Sequence, residues 1–465
     1  MTWDYAEGNP FSESSGNFAD VIEAWIYKTL TFLPISPLPG RVNQSDAAIS
    51  IANEKLLVST DPPYYDNIGY ADLSDFFYVW LRKSLRSIYP QLFATALTPK
   101  LQELIATPYR HEGSNKKAQA FFENGLGEAF SRMHEGQMAD YPLTVYYAFK
   151  QSEDEDDAED DKGVLVQQTA STGWETMLAG LIRSSFLITG TWPVRTEKQG
   201  RVRDVASNAL ASSIVLVCRL RQTKATIATR KQFTSELRQS LPKSLRDLQH
   251  GNIAPVDLAQ AAIGPGMAVF TKFAKVVEPN GSAMTVRTAL GIINQVLDET
   301  LAEQEGEFDA DTRWALAWFE QFGMNPEAFG TAETLSRAKG TAINGLEKAG
   351  IVKAKGGKVQ LLARTELPED WDPATDGRLT VWETVQHLIR VLEGEGEAAA
   401  AALVGKLGGL ADTARDLAYR LYAICERKKW ADEARAYNGL VIAWPELMKL
   451  SIRAKPATTP DMFER

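Results

Sequence analysis

Short apolar runs and amphipathic repeats alternate in the first half of the chain. Four apolar runs predict strands, at residues 56–60, 143–149, 186–192 and 213–218. Helical spacing of apolar residues predicts three helices, at residues 17–32, 72–88 and 174–185. From residue 56 onward the order is strand, helix, strand, helix, strand, strand, which favours an α/β layer fold. The last two strands are joined by a polar loop with no room for a crossover helix, so we expect them to pair antiparallel.

Helical patterns dominate the second half, beyond about residue 223. They predict helices at residues 286–304, 312–322, 335–349, 398–403, 411–427 and 431–444. A basic hairpin around Gly356-Gly357 follows one of these helices and indicates a winged-helix-like unit. We therefore predict an α/β domain at residues 1–222, a helical domain at 223–330, and the winged-helix-like unit with a C-terminal helical bundle at 331–465.

The sequence Asp61-Pro62-Pro63-Tyr64 directly follows the first predicted strand. The two prolines fix φ and donate no hydrogen bonds, so the turn is rigid. It aims the Asp61 carboxylate and the Pro62 carbonyl at one point, where two acceptors can hold the two hydrogens of an amino group. Tyr64 offers a flat face on which an extruded base can stack. The alternative is an ordinary strand-end turn, but the strand before the motif and the amphipathic helix after it favour a site.

The turn resembles motif IV of the amino-group DNA methyltransferases, which use S-adenosylmethionine. The stretch at residues 61–77, with Gly173-Trp174-Glu175-Thr176 and residues 207–219, resembles large prokaryotic adenine-specific DNA methylases associated with phage defence, some with a zinc ribbon. The resemblance runs through most of the chain and implies methylation of adenine N6 in DNA, with cytosine N4 as the alternative, in a restriction or phage-defence system. It also implies that the α/β domain is the second half of a Rossmann-like methyltransferase sheet, strands 4–7.

Further candidates for contact with DNA lie beyond the turn. Tyr65 and Asp66 would line the base pocket. Trp192 would stack on the extruded base or belong to the core, and Asn208 would bind a base edge or cap a turn. The loop between the last two strands carries cations that suit phosphate contacts or form solvated surface, at Arg195, Lys198, Arg201 and Arg203. The basic segment at residues 223–246 fits a surface helix as well as a DNA contact.

Composition narrows the class of protein. The apolar share of 44% is ordinary for a globular protein, no apolar stretch approaches the ~20 residues that cross a bilayer, and the first residues lack the pattern of a signal peptide. Two cysteines argue against a disulfide framework, exclude an internal four-cysteine zinc ribbon and fit the cytoplasm. The four histidines have no metal-site spacing. The net charge is -10, and much of the acid lies in a run at residues 153–161. This run predicts a solvated loop, with a DNA-mimicking or autoinhibitory role as the alternative.

A cofactor site is missing from the sequence pattern. S-adenosylmethionine normally binds a glycine-rich loop after a first strand, at the edge of a doubly wound sheet. Residues 1–60 hold no such loop, and the nearest candidate, residues 11–18, has one glycine and no preceding apolar run. Glycines at residues 263–267, and Gly405, Gly408 and Gly409, follow helical sequence, and we interpret them as turns. We therefore expect a C-terminal half of a larger enzyme, or one chain of a split methylase whose partner carries the cofactor half.

Two functional hypotheses follow. The first is an adenine-specific DNA methyltransferase that needs S-adenosylmethionine, DNA and the cofactor half. The second is a non-catalytic DNA-binding or assembly subunit of a defence complex, in which the helical C-terminal region is the working part.

Overall fold

The computed structural model describes residues 9, 11–13, 17–33, 40–49, 55–63, 65, 69–147, 172–195, 212–222 and 224–454. Two compact units are present, Met1–Asp46 and Ala47–Arg465. The first contains one helical segment, made of α1 (Phe18–Asp20), a π-helical stretch (Val21–Tyr27) and α2 (Lys28–Phe32). The side chain of Asn17 caps it by accepting a hydrogen bond from the Asp20 backbone nitrogen. This confirms the helix predicted at 17–32.

A four-stranded mixed sheet organises the N-terminal part of the second unit. Its strands are β1 (Ser59–Thr60), β2 (Leu143–Tyr147), β3 (Phe186–Arg195) and β4 (Ser212–Leu220), in the spatial order β1-β2-β4-β3. The β1–β2 pair is parallel and the other two pairs are antiparallel. The antiparallel pairing expected for the last two strands is confirmed. β1, β2 and β3 therefore run in the same direction and end at the same edge of the sheet.

One face of the sheet is buried by helices. Residues that alternate along β2 and β4 are fully buried there: Leu143, Val145, Ile214, Leu216 and Cys218. The covering helices are α4 (Asn115–Gly136) and α5 (Thr172–Arg183). Helix α3 (Tyr70–Leu85) lies between β1 and α4 in the chain. On the opposite face, Tyr146 and Trp192 remain exposed. The alternation of buried and exposed positions is the two-residue period of a strand.

A helix closes the β3 edge of the sheet. After β5 (Ile227–Thr229) and α6 (Arg230–His250), helix α7 (Pro255–Thr271) lies along β3. Thr271 accepts a hydrogen bond from the backbone nitrogen of Ile188 at 3.1 Å, and Thr191 donates to the carbonyl of Ala261 at 2.6 Å. The first bond satisfies a backbone N–H group that an edge strand would otherwise leave unpaired, and the second ties the Thr191 side chain to the helix.

Glycines inside α7 permit this close contact. A Cβ atom at Gly264 would overlap the backbone nitrogen and the hydroxyl of Thr191, and one at Gly266 would lie 2.6 Å from Ile293. Ile293 belongs to α8 (Val286–Glu303), which follows β6 (Lys275–Val277). The turn predicted at residues 263–267 is therefore wrong: the segment is helical, and its glycines serve close packing on both sides.

The middle of the helical half has the element order of a winged helix. It runs α9 (Ala310–Phe322), β7 (Glu327–Ala328), α10 (Phe329–Lys339), α11 (Ile343–Lys348), β8 (Val352–Lys355) and β9 (Lys358–Leu361), with sheet order β7-β9-β8. The hairpin predicted around Gly356-Gly357 is confirmed. The single helix predicted over residues 335–349 is wrong, because Gly340 adopts a positive φ of 75° and ends α10.

Four helices complete the chain: α12 (Val381–Glu395), α13 (Glu397–Leu407), α14 (Gly409–Lys428) and α15 (Ala431–Ala454). Gly405 lies inside α13, so its predicted turn is wrong, whereas Gly408 has a positive φ of 57° and separates α13 from α14. Hydrophobic residues from Ala106 to Leu447 form one continuous core. The predicted domain boundaries near residues 222 and 330 stay predictions.

Both cysteines lie among the described residues. Cys218 and Cys425 are both free and buried. Among the described residues, no helix is both long and apolar enough to span a membrane, and no group of side chains could hold a metal ion. The acidic run at residues 153–161 lies outside the described residues.

Buried ionisable groups lie on one side of α12. Glu383 and His387 are both buried, and the His387 ring stacks on Trp371 with centroids 4.1 Å apart. Burial, together with the nearby charge of Asp376, raises the pKa of Glu383 to about 9. Burial, together with Arg390, lowers the pKa of His387 to about 4. Both groups are therefore neutral in the folded protein near pH 7.

We expect Gly264→Ala to lower the free energy of unfolding by about 1–3 kcal/mol, because the added methyl group overlaps β3. Gly291→Ala in α8 is the matched control, since a Cβ there meets nothing within 4 Å and alanine favours a helix by up to ~1 kcal/mol. Urea denaturation of both variants tests this. Equal stability of the two would show that α7 is not seated on β3 as described.

The free energy of unfolding of the natural protein should fall between pH 7 and 9 as the pH approaches the folded pKa of Glu383. We expect Glu383→Gln to abolish this contribution of Glu383. The folded pKa of Glu383 is raised above its ordinary value of 4.5, so the unfolded chain releases this proton first. The stabilising contribution is therefore complete below about pH 4.5 and is lost as the pH rises toward 9. His387, with its lowered pKa, acts below pH 6.5 and does not affect this window. Denaturation at several pH values should show a much shallower decline for Glu383→Gln, because only the buried thiols of Cys218 and Cys425, whose pKa values burial raises to about 12, still lower the stability as the pH nears 9. The exposed control Glu395→Gln should show the wild-type decline.

Candidate functional site

The Asp-Pro-Pro turn lies at the carboxyl end of β1. Asp61 is exposed, Pro62 is buried and Pro63 is half-buried. Partial burial raises the pKa of Asp61 above its ordinary value. Exposure leaves the carboxylate accessible to a ligand, while the buried proline fixes the backbone behind it. Tyr64 and Asp66, which complete the predicted pocket, lie outside the described residues.

Tyr65 ties the turn to the packed core. Its carbonyl accepts a hydrogen bond from the backbone nitrogen of Ala106 at 2.8 Å, and its ring meets Phe122 edge-on at 5.2 Å. Phe122 belongs to α4 and is fully buried. Tyr65 was predicted to line the base pocket, and the described contacts give it an anchoring role as well.

The Gly173-Trp174-Glu175-Thr176 segment packs directly against this turn. A Cβ atom at Gly173 would lie 2.9 Å from the Tyr65 Cβ atom and 3.1 Å from the Tyr147 hydroxyl. Trp174 is fully buried and its ring lies nearly parallel to that of Tyr147, with centroids 5.9 Å apart. Two segments that lie more than a hundred residues apart in the chain therefore meet at the ends of β1 and β2.

Tyr70 is a further residue at the site that the motif alone does not indicate. It begins α3 and is partly exposed. Burial raises the pKa of its phenol, and the negative charges of Asp61 and Glu103 raise it further. The Tyr70 hydroxyl therefore stays protonated close to the Asp61 carboxylate. Nothing in the spacing of the Asp-Pro-Pro-Tyr motif identifies this tyrosine.

A polar network holds the start of α3 in place. Arg110, whose side chain is 7% exposed, forms ion pairs of 2.6 Å with Asp72 and with Glu103. Glu103 also accepts a hydrogen bond from the Ala71 backbone nitrogen at 2.9 Å, in the first turn of the helix. A carboxylate is favourable there because backbone N–H groups are unpaired at a helix N-terminus.

A second ion pair holds the middle of α3. Lys100 lies 2.6 Å from the carboxylate of Asp75, and the Thr98 backbone nitrogen donates to Asp75 at 2.9 Å. Hydrogen bonds from Lys100 and Thr98 lower the pKa of Asp75 to about 2. The side of α3 that faces the chain is therefore held largely by polar contacts.

Trp192 shares a row of the sheet with the turn but lies apart from it. Trp192 pairs with Val215, and Val215 pairs with Tyr146. The last pair between β1 and β2 joins Thr60 to Val145, and the two strands are parallel. The next residues along each strand, Asp61 and Tyr146, are therefore level with each other. Three strand spacings of ~4.8 Å separate β1 from β3, which gives about 14 Å between the two positions. Trp192 is 61% exposed, so its alternative assignment to the core is wrong.

The remaining predicted DNA contacts have little structural description. Arg195 ends β3, and its side chain lies outside the described residues, as do Arg201, Arg203 and Asn208. The basic segment is described from residue 224 to residue 246. Three of its arginines form ion pairs with acidic residues that follow: Arg230–Glu278, Arg238–Glu299 and Arg246–Glu307. These pairs neutralise part of its charge and favour the surface-helix interpretation over DNA contact.

A polar cavity of about 430 Å³ lies beside α5. Its lining includes Glu123, Glu175, Arg183 and Arg287, and no predicted site residue. Arg287 forms an ion pair with Glu175 at 2.8 Å. Glu175, which belongs to the segment at residues 173–176, therefore lines this cavity and is held there by a salt bridge.

The described residues do not fit an S-adenosylmethionine site. Before Asp61, the described part of the chain contains one helical segment and β1, with no strand followed by a glycine-rich loop. The later candidates at Gly264 and Gly405 lie inside helices. The turn can therefore hold an amino group through its acceptors. The described residues provide no site for the methyl donor.

Comparison with known proteins bears on the C-terminal part. Residues 309–463 match the model of a domain of unknown function, DUF8807. The match spans α9 to α15, which include the winged-helix elements and the helices after them, and it does not reach the four-stranded sheet that carries Asp61. No curated protein and no solved structure matches the chain.

We expect Arg110→Met to lower the free energy of unfolding by about 3 kcal/mol, because it leaves Glu103, only 13% exposed, without its ion-pair partner. Lys117→Met removes an exposed ion pair with Glu112 and is the matched control, with an expected change below ~0.5 kcal/mol. Thermal denaturation compares them. If Arg110→Met is as stable as Lys117→Met, the network does not hold α3.

Proposed function

We propose that this chain is the catalytic part of a DNA methyltransferase that acts on the N6 amino group of adenine. One observation carries the proposal: the exposed carboxylate of Asp61 follows a parallel strand and precedes a buried proline. In sheets with parallel strands, ligands bind beyond the carboxyl ends of the strands. A carboxylate and an adjacent carbonyl fixed at that point are suited to accept both hydrogens of an exocyclic amino group.

The sheet supports the proposal beyond the turn. The resemblance implies four consecutive strands of a methyltransferase sheet, of which the final pair is antiparallel. The described sheet has four strands, with β1 and β2 parallel and with β3 and β4 antiparallel. The segment at residues 173–176, which carries part of the resemblance, packs against Tyr65. Two of the resembling segments therefore meet at one place, as parts of a single site would.

DNA is the proposed substrate, and its contacts follow from the position of the turn. The base would enter beside Asp61, with Tyr64 stacking on it. At about 14 Å from this point, Trp192 would contact a neighbouring nucleotide rather than the extruded base. Arg195, Arg201 and Arg203 would contact phosphates. Action within a restriction or phage-defence system is part of the same proposal and rests on the resemblance.

A second candidate function is that of a DNA-binding or assembly subunit without catalysis. The observation that favours it is the winged-helix order of β7, α10, α11, β8 and β9. The tip of its hairpin carries Lys355 and Lys358 beside Gly356-Gly357, and both lysines are exposed. Cations on a wing suit phosphate contacts. Under this alternative, Asp61 would have no effect on any activity of the complex.

We expect Asp61→Ala to lower DNA adenine methylation by about 10²–10³-fold while leaving the fold intact, because one of two preorganised acceptors is lost. Methylation is measured as N6-methyldeoxyadenosine and N4-methyldeoxycytidine in DNA from the source organism, with the variant in place of the natural gene. Asp140→Ala, which removes another exposed aspartate, is the matched control. Buried Cys218 and Cys425 report folding, because they should react with a thiol reagent only when the chain unfolds.

The second variant separates stacking from amino-group binding. Tyr64→Ala should weaken binding of the extruded base, since stacking contributes ~1–3 kcal/mol, and Tyr64→Phe should retain most activity. If Asp61→Ala methylates DNA at the natural rate, the turn is structural, and the non-catalytic function is the better account.

A further inference from the structure

The polar cavity beside α5 has the size of a small-molecule site. Its volume of about 430 Å³ lies within the ~300–1,000 Å³ that such sites occupy. It is bounded by α4, by α5 and by the start of α8, and we call it the α5 cavity. Glu175, Ala179 and Arg183 line it at intervals of about one helical turn. The α5 cavity therefore extends along about two turns of the helix.

The α5 cavity lies on the side of α5 that is turned away from the sheet. The opposite side of the helix is formed by fully buried core residues: Trp174, Met177, Leu178 and Leu181. Because an α-helix has 3.6 residues per turn, Arg183 projects from the side opposite to Trp174. Helix α5 therefore separates a ligand in this cavity from the sheet whose edge carries Asp61.

The charges that line the α5 cavity balance in sum but not in pairs. The charged lining residues are two acids and two arginines: Glu123, Glu175, Arg183 and Arg287. Arg287 forms an ion pair of 2.8 Å with Glu175. Glu123 and Arg183 are left over, and neither forms an ion pair within the described part of the chain. The cavity therefore offers one anion and one cation that a ligand can neutralise.

Glu123 is held through only one of its two carboxylate oxygens. Gln119 donates to its Oε1 atom at 2.8 Å, and the hydroxyl of the buried Thr176 donates to the same atom at 3.4 Å. The Oε2 atom accepts no hydrogen bond from a described residue. Since an ionised carboxylate can accept up to about four hydrogen bonds, Glu123 is positioned and still has an oxygen to offer.

Arg183 provides the opposite charge at a distance that limits the size of a ligand. Thr176, which contacts Glu123, and Arg183 are about 10 Å apart along α5. A contact of ~2.8 Å at each end leaves roughly 5 Å between the two charges of a ligand. The side chain of a helical residue leans over the preceding turn, so Arg183 extends toward Ala179 and shortens this gap. The gap suits a ligand of one or two residues, which spans ~3.5 or ~7 Å when extended.

We propose that the α5 cavity binds a small zwitterion, an amino acid or a dipeptide, whose ammonium group contacts Glu123 and whose carboxylate contacts Arg183. An anion alone would leave Glu123 without a counter-ion, and a cation alone would leave Arg183 without one. A zwitterion neutralises both and adds no net charge. The inference is independent of the proposed function, because Glu123 and Arg183 take no part in the chemistry proposed for Asp61.

Calorimetry with the full chain near neutral pH tests the charge and the length of the ligand. Glycine, diglycine and triglycine are the probes, because they differ only in the spacing of their two charges. Glycine or diglycine should bind with a Kd tighter than about 1 mM. Triglycine should bind at least ~10-fold more weakly, because its extended length of ~10 Å exceeds the gap. N-acetylated diglycine lacks the ammonium group, diglycine amide lacks the carboxylate, and neither should bind measurably.

Substitutions at the two unpaired charges test the assignment of the site. Glu123→Gln removes the negative charge but keeps an oxygen that accepts the same hydrogen bonds, and Arg183→Gln removes the cation. Each should weaken binding of the preferred probe by roughly 10–100-fold, as loss of a hydrogen bond to a charged group does. Glu128→Gln and Arg86→Gln alter exposed residues outside the cavity and should leave the Kd unchanged. Protection of the two buried thiols confirms that each variant folds.

The outcomes either identify the ligand or overturn the inference. A preference for glycine identifies a free amino acid, and a preference for diglycine identifies a short peptide; both support the site. Binding that survives N-acetylation shows an anion site, and binding that survives amidation shows a cation site. Either result overturns the inference, as do equal binding of all three probes, no binding of any, and an unchanged Kd in Glu123→Gln and Arg183→Gln.

Discussion

The contact between α7 and β3 joins the two halves of this protein. Gly264 brings the helix onto Thr191 so closely that a methyl group would overlap the strand. Thr271 accepts a hydrogen bond from the backbone nitrogen of Ile188, and Ala261 accepts one from the Thr191 hydroxyl. On its other side α7 packs against α6 and α8, and it also contacts α14 and α15. The sheet that presents Asp61 therefore depends on helices that follow it by many residues in the chain.

Local patterns predicted the elements but not their neighbours. The antiparallel pair and the Gly356-Gly357 hairpin are encoded within short segments and were correct. The four apolar runs each contain a strand, although the first run, predicted as a strand over residues 56–60, is a strand only at Ser59–Thr60. Gly264 was misread as a turn because glycine and proline usually interrupt helices, and only the distant residue Thr191 reveals why they occur inside one. The break at Gly340 was missed for the converse reason, since the apolar spacing continues across it. No helix was predicted at α4 (Asn115–Gly136), although the buried residues of that helix recur at helical spacing.

The candidate site was also predictable where it depends on a local motif and unpredictable where it depends on contacts between distant residues. A motif of four residues was enough to indicate Asp61, because rigid prolines and a carboxylate at a strand end suggest one kind of chemistry. It could not indicate Tyr70, whose phenol lies near Asp61, or Gly173, whose missing side chain admits Tyr65. Amphipathicity in α3 showed that one side was apolar but not which way that side faced. Ion pairs from Arg110 and Lys100 decide this, because they hold the polar side against the chain.

The α7–β3 contact also sets an order of events during synthesis. The hydrogen bonds that close the sheet edge join residues 83 and 70 positions apart. At a translation rate of ~5–20 residues per second, the α7 residues that cover β3 are synthesised roughly 4–16 s after β3 itself. Through that interval the nascent chain carries an uncovered strand beside exposed apolar surface. Translational pausing between β3 and α7 would lengthen this exposure, so codon choice across residues 192–271 affects how much of the newly made protein aggregates before it folds.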